Sequence, residues 1–216
     1  MSANIVEWII RIPVLLFAIT IHEYAHGKAA LSLGDPTAKN AGRLTLNPIS
    51  HIDPIGAICF FLFYIGWAKP VPVDTRYFKN PRRDIILMAL SGPIANFAAA
   101  FVTGLFIRHF LIIWEAYLVF LLYMILMNIG LGLFNLIPIP PLDGSHVLEN
   151  MLPSSVFRHY EKIRRYVPLV FIGILLFDRF LNLKIVERIL WKPIIIITQF
   201  FGGDNATNLL KASGIL

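Results

Sequence analysis

The chain has 216 residues, of which 57% are hydrophobic and 15% are charged, whereas soluble domains average about 25% charged residues. Its formal net charge is +6, but the Lys and Arg residues lie between apolar segments, which is typical of membrane topology signals and excludes a nucleic-acid partner. The composition predicts an all-α polytopic membrane protein. The single cysteine, Cys59, excludes an intrachain disulfide.

Apolar segments follow one another along the chain, and from them we expect about five to six transmembrane helices. They cover residues 5–30, 55–67, 85–107, 111–137, 167–181 and 185–201. Crossing the hydrocarbon core takes about 20 residues, so the segment at 55–67 is too short and is predicted to re-enter or to lie along the membrane. The first segment continues without a small-residue cleavage site, so we expect no removable signal peptide.

The polar stretches between these segments are rich in turn signals, and minor β structure is expected only there. Residues 43–46, Arg-Leu-Thr-Leu, alternate like a short strand. Pro72 limits residues 71–73 to the edge of a sheet. Any β structure in this protein is therefore predicted to be small.

The first apolar segment contains the sequence His22-Glu23-Tyr24-Ala25-His26. Histidines at positions i and i+4 share one face of a helix, so both imidazoles can bind one metal ion, while the intervening glutamate can reach a metal-bound water as general base. Ionisable side chains inside a membrane are costly and indicate function. The motif therefore predicts a zinc site at membrane depth that still lacks its third ligand.

A second polar motif closes the fourth apolar segment, where the sequence Asn135-Leu-Ile-Pro-Ile-Pro-Pro-Leu-Asp143-Gly144 interrupts regular helix. By itself, Asp143 is equally well explained as the N-cap of a following helix. Beside a membrane-embedded pair of histidines, metal binding is the better explanation, because two histidines and one aspartate leave the fourth zinc position for water. We therefore expect about one Zn²⁺ per chain.

Together these motifs resemble those of the site-2 protease family of intramembrane zinc proteases, peptidase family M50. The sequence Gly92-Pro-Ile-Ala-Asn96 resembles the family's GPxxN motif. Residues 47–56 and 66–73 resemble segments of a small bacterial and archaeal subgroup. The resemblance covers about residues 5–148 in order, and the combination of motifs is specific although each one alone is not.

The resemblance assigns roles to particular residues. The family's zinc ligands match His22, His26 and Asp143. Glu23 matches the catalytic glutamate, and Asn96 and Asn135 match polar residues that are implied to contact substrate or the oxyanion. His51 lies between two turns and could also reach the active site, but a turn histidine bonded to local backbone explains it equally well.

The implied reaction is the hydrolysis of peptide bonds within or near the transmembrane segments of membrane proteins. The expected partners are therefore a transmembrane protein substrate and membrane lipids. A polytopic ion transporter is the main alternative, and a non-proteolytic scaffold with a buried metal site is the second. A transporter explains polar groups in the membrane but not the presence of Glu23 between the two histidines.

The predicted zinc site constrains the topology, because its ligands can meet only if the first and fourth apolar segments end on the same face of the membrane. Lys and Arg residues are concentrated on that face, at residues 39–83, 158–165 and 211. Five are assigned to the other face: Arg108, Arg179, Lys184, Arg188 and Lys192. The positive-inside rule makes the zinc face cytoplasmic. We expect a multi-pass protein of a prokaryotic cell membrane whose active site lies toward the cytoplasm.

The chain is expected to have two regions and no separate soluble domain. Residues 1–148 contain all three motifs and are predicted to form the catalytic membrane core. Residues 149–216 contain the last two apolar segments and are predicted to form C-terminal membrane helices.

Overall fold

The computed structural model of the protein describes residues 5–63, 66–110 and 114–216. Within these ranges the chain is helical and contains no strand, which confirms the all-α prediction for the part described. Numbered in chain order, the helices are α1 (Ile5–Ser32), α2 (Thr37–Asn40), α3 (Pro54–Phe63), α4 (Pro81–His109), α5 (Glu115–Asn135), α6 (Asp143–Met151), α7 (Ser154–Arg164), α8 (Val167–Phe180) and α9 (Ile185–Ala212).

Three helices in the described ranges are long and apolar enough to cross a membrane. They correspond to α1, α4 and α5, at Trp8–Ser32, Pro81–His109 and Ala116–Asn135. The chain is therefore a membrane protein. Length and composition give fewer spans than the sequence predicted, because α8 has only 14 residues and the first half of α9 carries charges such as Arg188 and Lys192.

α4 and α5 pack with α9 around one buried apolar core, and α1 packs against α4 and α5. Ile107 of α4, Ile125 and Ile129 of α5 and Leu210 of α9 are almost completely buried in it. α9 belongs to the predicted C-terminal region, yet it shares this core with helices of the predicted catalytic region. The division of the chain at residue 148 stays a prediction.

The direction of α9 follows from its close contacts with two other helices. Ile194 lies beside Gly130 in the second half of α5, whereas Phe201 lies beside Gly104 near the end of α4. A Cβ on Gly104 would lie 2.6 Å from Cβ of Phe201, so only glycine lets the two helices approach this closely. The part of α9 before Gly203, where the backbone leaves helical geometry (φ 65°, ψ −151°), therefore runs antiparallel to α5 and begins at the end of the bundle where α5 finishes.

The two ends of the segment at residues 52–68 are adjacent. An isolated antiparallel bridge joins Ile52 to Ala68, and the N–H of Lys69 donates to the carbonyl of His51 at 2.9 Å. Between them, α3 has ten residues, and residues 64 and 65 lie outside the described part. The chain thus leaves and rejoins the loop region at one place, while a path re-entering the membrane stays a prediction.

The prediction of short strands was wrong for the residues that the structure describes. At residues 43–46, the N–H of Arg43 donates to the carbonyl of Ala38 at the end of α2, and the carbonyl of Thr45 accepts a hydrogen bond from Nε2 of His51. Because these backbone groups are bonded within the loop, they cannot form a ladder with a second strand. Residues 71–73 likewise belong to no strand, and the isolated bridge between Ile52 and Ala68 is the β pairing found in the described residues.

Candidate zinc site and active site

The predicted zinc ligands meet between α1 and the start of α6. Oδ2 of Asp143 lies 3.0 Å from Nε2 of His22 and 3.3 Å from Nε2 of His26, and the two Nε2 atoms are 3.0 Å apart. Both histidines are buried. Burial opposes the ionisation of Asp143, but without a metal ion the hydrogen bonds and positive charge of protonated imidazoles outweigh burial and hold the pKa of this carboxyl below its usual range. Asp143 is therefore a carboxylate at neutral pH.

Hydrogen bonds behind the histidines decide which ring nitrogen faces the cluster. Nδ1 of His22 lies 2.7 Å from Oδ1 of Asn96, and Nδ1 of His26 lies 2.8 Å from the carbonyl oxygen of Met88. Because both oxygens are acceptors, each Nδ1 carries the proton and each Nε2 presents a lone pair. Oδ2 of Asp143 is buried without a hydrogen-bond partner. Once the Nε2 atoms have released any second proton, three electron-pair donors converge on one point, which is an arrangement that fits a bound Zn²⁺.

A chain of buried amides holds Asn96 in this orientation. Its Nδ2 donates to the carbonyl of Ala18 at 2.9 Å and to Oδ1 of Asn128 at 3.0 Å, and both asparagines are fully buried. Asn96 therefore supports His22 from behind, and the contact with substrate or the oxyanion that the resemblance implied for it stays a prediction. Asn128 was not predicted, although a polar side chain inside an apolar span is a signal that could have found it.

Two glycines allow the elements of the site to come together. A Cβ on Gly92 would lie 2.4 Å from Nε2 of His26 and 2.7 Å from Cε1 of His22, so the missing side chain lets α4 approach the imidazoles. A Cβ on Gly144 would lie 2.2 Å from the carbonyl oxygen of Leu136, just after α5. The motifs that contain these glycines therefore provide space as well as polar groups.

The cluster opens into a cavity of about 1540 Å³. Its walls include Leu15 and Leu16 of α1 on the apolar side, and Glu23, Asn135 and His51 among the polar groups. Pockets for small molecules usually measure about 300–1,000 Å³. This cavity is larger than that range, and part of its wall is apolar.

The remaining predicted residues contact the backbone. Nδ2 of Asn135 donates to the carbonyl of Leu131 at 3.0 Å, within α5. His51 is 1% exposed, and its Nε2 lies 2.9 Å from the carbonyl oxygen of Thr45, which is the local backbone bond that the sequence offered as its second explanation. Both residues line the cavity, and their roles toward substrate or the oxyanion stay predictions.

Glu23 lies next to His22 in the chain, is half-buried and faces the same cavity. Its Oε2 accepts a hydrogen bond from the peptide N–H of Val71 at 3.0 Å. The sequence did not predict this contact, because a motif of side chains does not show which backbone N–H groups will lie near them.

Two imidazoles and a carboxylate that converge at a membrane-spanning helix, with a glutamate beside them, define the class of intramembrane metalloproteases. A family model described as peptidase family M50 matches residues 110–177. "Putative zinc metalloprotease YwhC" of Bacillus subtilis (strain 168) is 39% identical, over 73% of this chain and 76% of the relative. The chain therefore belongs to peptidase family M50, and its function is that of an intramembrane zinc protease.

Further relatives carry similar names. "Putative zinc metalloprotease Rip2" of Mycolicibacterium smegmatis is 27% identical over 92% of this chain and 75% of the relative. The protein of the same name from Mycobacterium tuberculosis (strain H37Rv) is 30% identical over 77% of this chain and 66% of the relative. No solved structure gives a significant match. These similarities do not favour the alternatives of a transporter or a non-proteolytic scaffold.

Proposed function

We propose that the protein hydrolyses peptide bonds within or next to transmembrane segments of other membrane proteins, with one Zn²⁺ held by His22, His26 and Asp143. The observation that carries the proposal is the convergence of three metal-ligand atoms beside Glu23, in a cavity partly walled by a membrane-spanning helix. Two histidines and an aspartate are a zinc donor set that leaves a position for water.

The side chains of the site have separate tasks in this reaction. When bound, zinc lowers the pKa of its water and polarises the scissile carbonyl. Glu23 takes a proton from the attacking water and returns it to the leaving amine as the carbon–nitrogen bond breaks. Asn135, at the end of α5, is the candidate donor to the oxyanion. Asn96 holds the imidazole of His22 in the tautomer that leaves Nε2 free.

The proposed topology has four crossings, by α1, α4, α5 and α9, with the zinc site toward the cytoplasm. Support comes from the length of α8, whose 14 residues fall short of the about 20 needed to cross, and from the start of α9 at the end of the bundle where α5 finishes. This path moves Lys184 and Arg188 to the zinc side, where sequence reasoning did not put them. The positive-inside rule then favours a cytoplasmic zinc face more strongly.

Replacement of the base tests the proposed reaction. A transmembrane helix hides its carbonyls in hydrogen bonds, so the substrate must contain a site where the helix unwinds. The assay uses a pool of model transmembrane peptides, each with the helix-breaking pair Asn-Gly in one third of its span. Each peptide carries a fluorophore and a quencher, and cleavage is measured in proteoliposomes. The wild type should cleave the pool. Glu23→Gln should lower cleavage by at least about 100-fold and keep its zinc, measured by metal analysis, because the amide preserves shape but cannot take the proton.

Glu161→Gln is the matched control, because Glu161 is exposed on α7 and does not line the cavity. It should cleave as the wild type does. Zinc-loaded Glu23→Gln that still cleaves at the wild-type rate would contradict the proposed mechanism.

Single cysteines test the topology. In a Cys59→Ser background, Lys39→Cys, Lys79→Cys and Lys184→Cys should all react with an impermeant thiol reagent from the cytoplasmic face. Labelling of positions 39 and 79 from opposite faces would show that the segment between them crosses the membrane. Labelling of position 184 from the outer face would show that α8 crosses.

A further inference from the structure

We propose that the peptide N–H of Val71 positions the Glu23 carboxylate for its role as base, an inference that rests on the proposed proteolytic function. The N–H donates to Oε2 of Glu23 at 3.0 Å. A glutamate side chain has three rotatable bonds, so an unanchored carboxylate samples many positions. With Oε2 held, Oε1 is the oxygen that takes a proton from water.

The sequence isolates this donor. Pro70 and Pro72 flank Val71, and proline has no peptide N–H. Val71 therefore carries the sole peptide donor of the three residues, and a slip of the loop by one residue would present none to Glu23. The same prolines keep the segment from pairing as a regular strand.

The side chain of Val71 packs against α1 about one helical turn after Glu23. Val71 is 8% exposed. A Cβ on Gly27, one helical turn after Glu23, would lie 3.2 Å from Cγ1 of Val71. The absence of a side chain at Gly27 thus lets the loop come within hydrogen-bond distance of Glu23.

Hydrogen bonds fix the loop on both sides of Val71. Before it, Lys69 donates its N–H to the carbonyl of His51 at 2.9 Å, and its own carbonyl accepts from Nη2 of Arg43 at 2.7 Å. After it, the N–H of Asp74 donates to Oδ2 of the fully buried Asp35 at 2.8 Å. The donor to Glu23 is therefore held in a braced segment, and its position does not depend on the Glu23 contact alone.

The test separates the N–H from the side chain of Val71. Val71→Pro removes the donor, and Val71→Ala keeps it. With the peptide pool in proteoliposomes, Val71→Pro should lower kcat by about 10- to 100-fold, with KM within about threefold of wild type and an unchanged zinc content. Val71→Ala should have a kcat within about threefold of that of the wild type. A fall in Val71→Ala as large as in Val71→Pro would overturn the proposal, because the effect would then belong to the side chain.

A backbone ester keeps the test decisive if Val71→Pro fails to fold or to bind zinc. Val71 replaced by its α-hydroxy acid has an ester oxygen in place of the N–H and the same side chain, and it should show the same fall in kcat. The same ester at Val73, whose N–H is not the donor to Glu23, should leave kcat unchanged. Wild-type kcat in the Val71 ester would overturn the positioning role, whereas a wild type that cleaves no peptide would contradict the proposed function itself.

Discussion

The two sides of the histidine pair are built from different kinds of structure. On the rear side, Asn96 and the carbonyl of Met88 hold the imidazoles from within a membrane-spanning helix, and Asn128 of another span supports Asn96. On the cavity side, Asp143 comes from a short helix, and Glu23 is held by a loop. The spans therefore orient the ligands, whereas shorter segments supply the third ligand and the contact that holds the base. Rear-side changes should alter metal affinity, and cavity-side changes should alter turnover unless they remove a ligand.

The largest effect is expected from Asp143→Ala, which tests whether the cavity side completes the metal site. Loss of one of three ligands should remove most of the bound zinc and abolish cleavage of the peptide pool. Metal analysis of the purified variant measures the first effect. Asp204→Ala is the control, because Asp204 is exposed on α9 away from the cavity. Full zinc occupancy in Asp143→Ala would remove this residue from the site.

Gly92→Ala should have the next largest effect, because the added Cβ would lie 2.4 Å from Nε2 of His26 and something must shift. We expect loss of most of the zinc, with the helical bundle retained by circular dichroism. Gly173→Ala on α8 is the matched control, since a Cβ there meets nothing within 4 Å. Wild-type zinc content in Gly92→Ala would show that α4 does not approach the imidazoles this closely.

Asn135→Ala tests the cavity side of the site. If its amide donates to the oxyanion, kcat should fall by about 100-fold, and the zinc content should equal that of the wild type. Steady-state cleavage of the peptide pool, with metal analysis on the same preparation, measures both. A variant that loses zinc and kcat in proportion would place Asn135 among the groups that support the metal.

Asn96→Ala tests the rear side and should lower zinc affinity rather than turnover. Without the acceptor for His22, zinc affinity measured by chelator competition should fall by about 10- to 100-fold, while kcat at saturating zinc should change little. Asn128→Ala, one hydrogen bond further away, should give a smaller change of the same kind. A kcat defect without a change in affinity would assign Asn96 to substrate, as the sequence predicted.

The ligand cluster could be predicted because its signals are local and chemical. Histidines four residues apart share a helix face, and their incomplete ligand set in a membrane calls for an acid such as Asp143. The contact between Val71 and Glu23 could not be predicted, because main-chain donors are the same at every residue except proline.

The direction of α9 and the absence of strands from the described residues could not be predicted from the sequence, for different reasons. Hydrophobic length says whether a helix can cross but not at which end it begins, and the contacts of Gly104 and Gly130 decide that. Alternation at residues 43–46 describes side chains, whereas a strand also needs free backbone groups. Those of Arg43 and Thr45 are already bonded to α2 and to His51.

The distance along the chain between the histidines of α1 and Asp143 has a consequence for biosynthesis. A ribosome completes the helix that carries His22 and His26 long before it reaches Asp143, so a nascent chain presents two imidazoles without their third ligand and without the buried amides that orient them. The site can assemble only after α4 and α5 have entered the bilayer. Proteolytic activity thus requires completed membrane insertion, and a chain whose insertion has stalled cannot cleave neighbouring proteins.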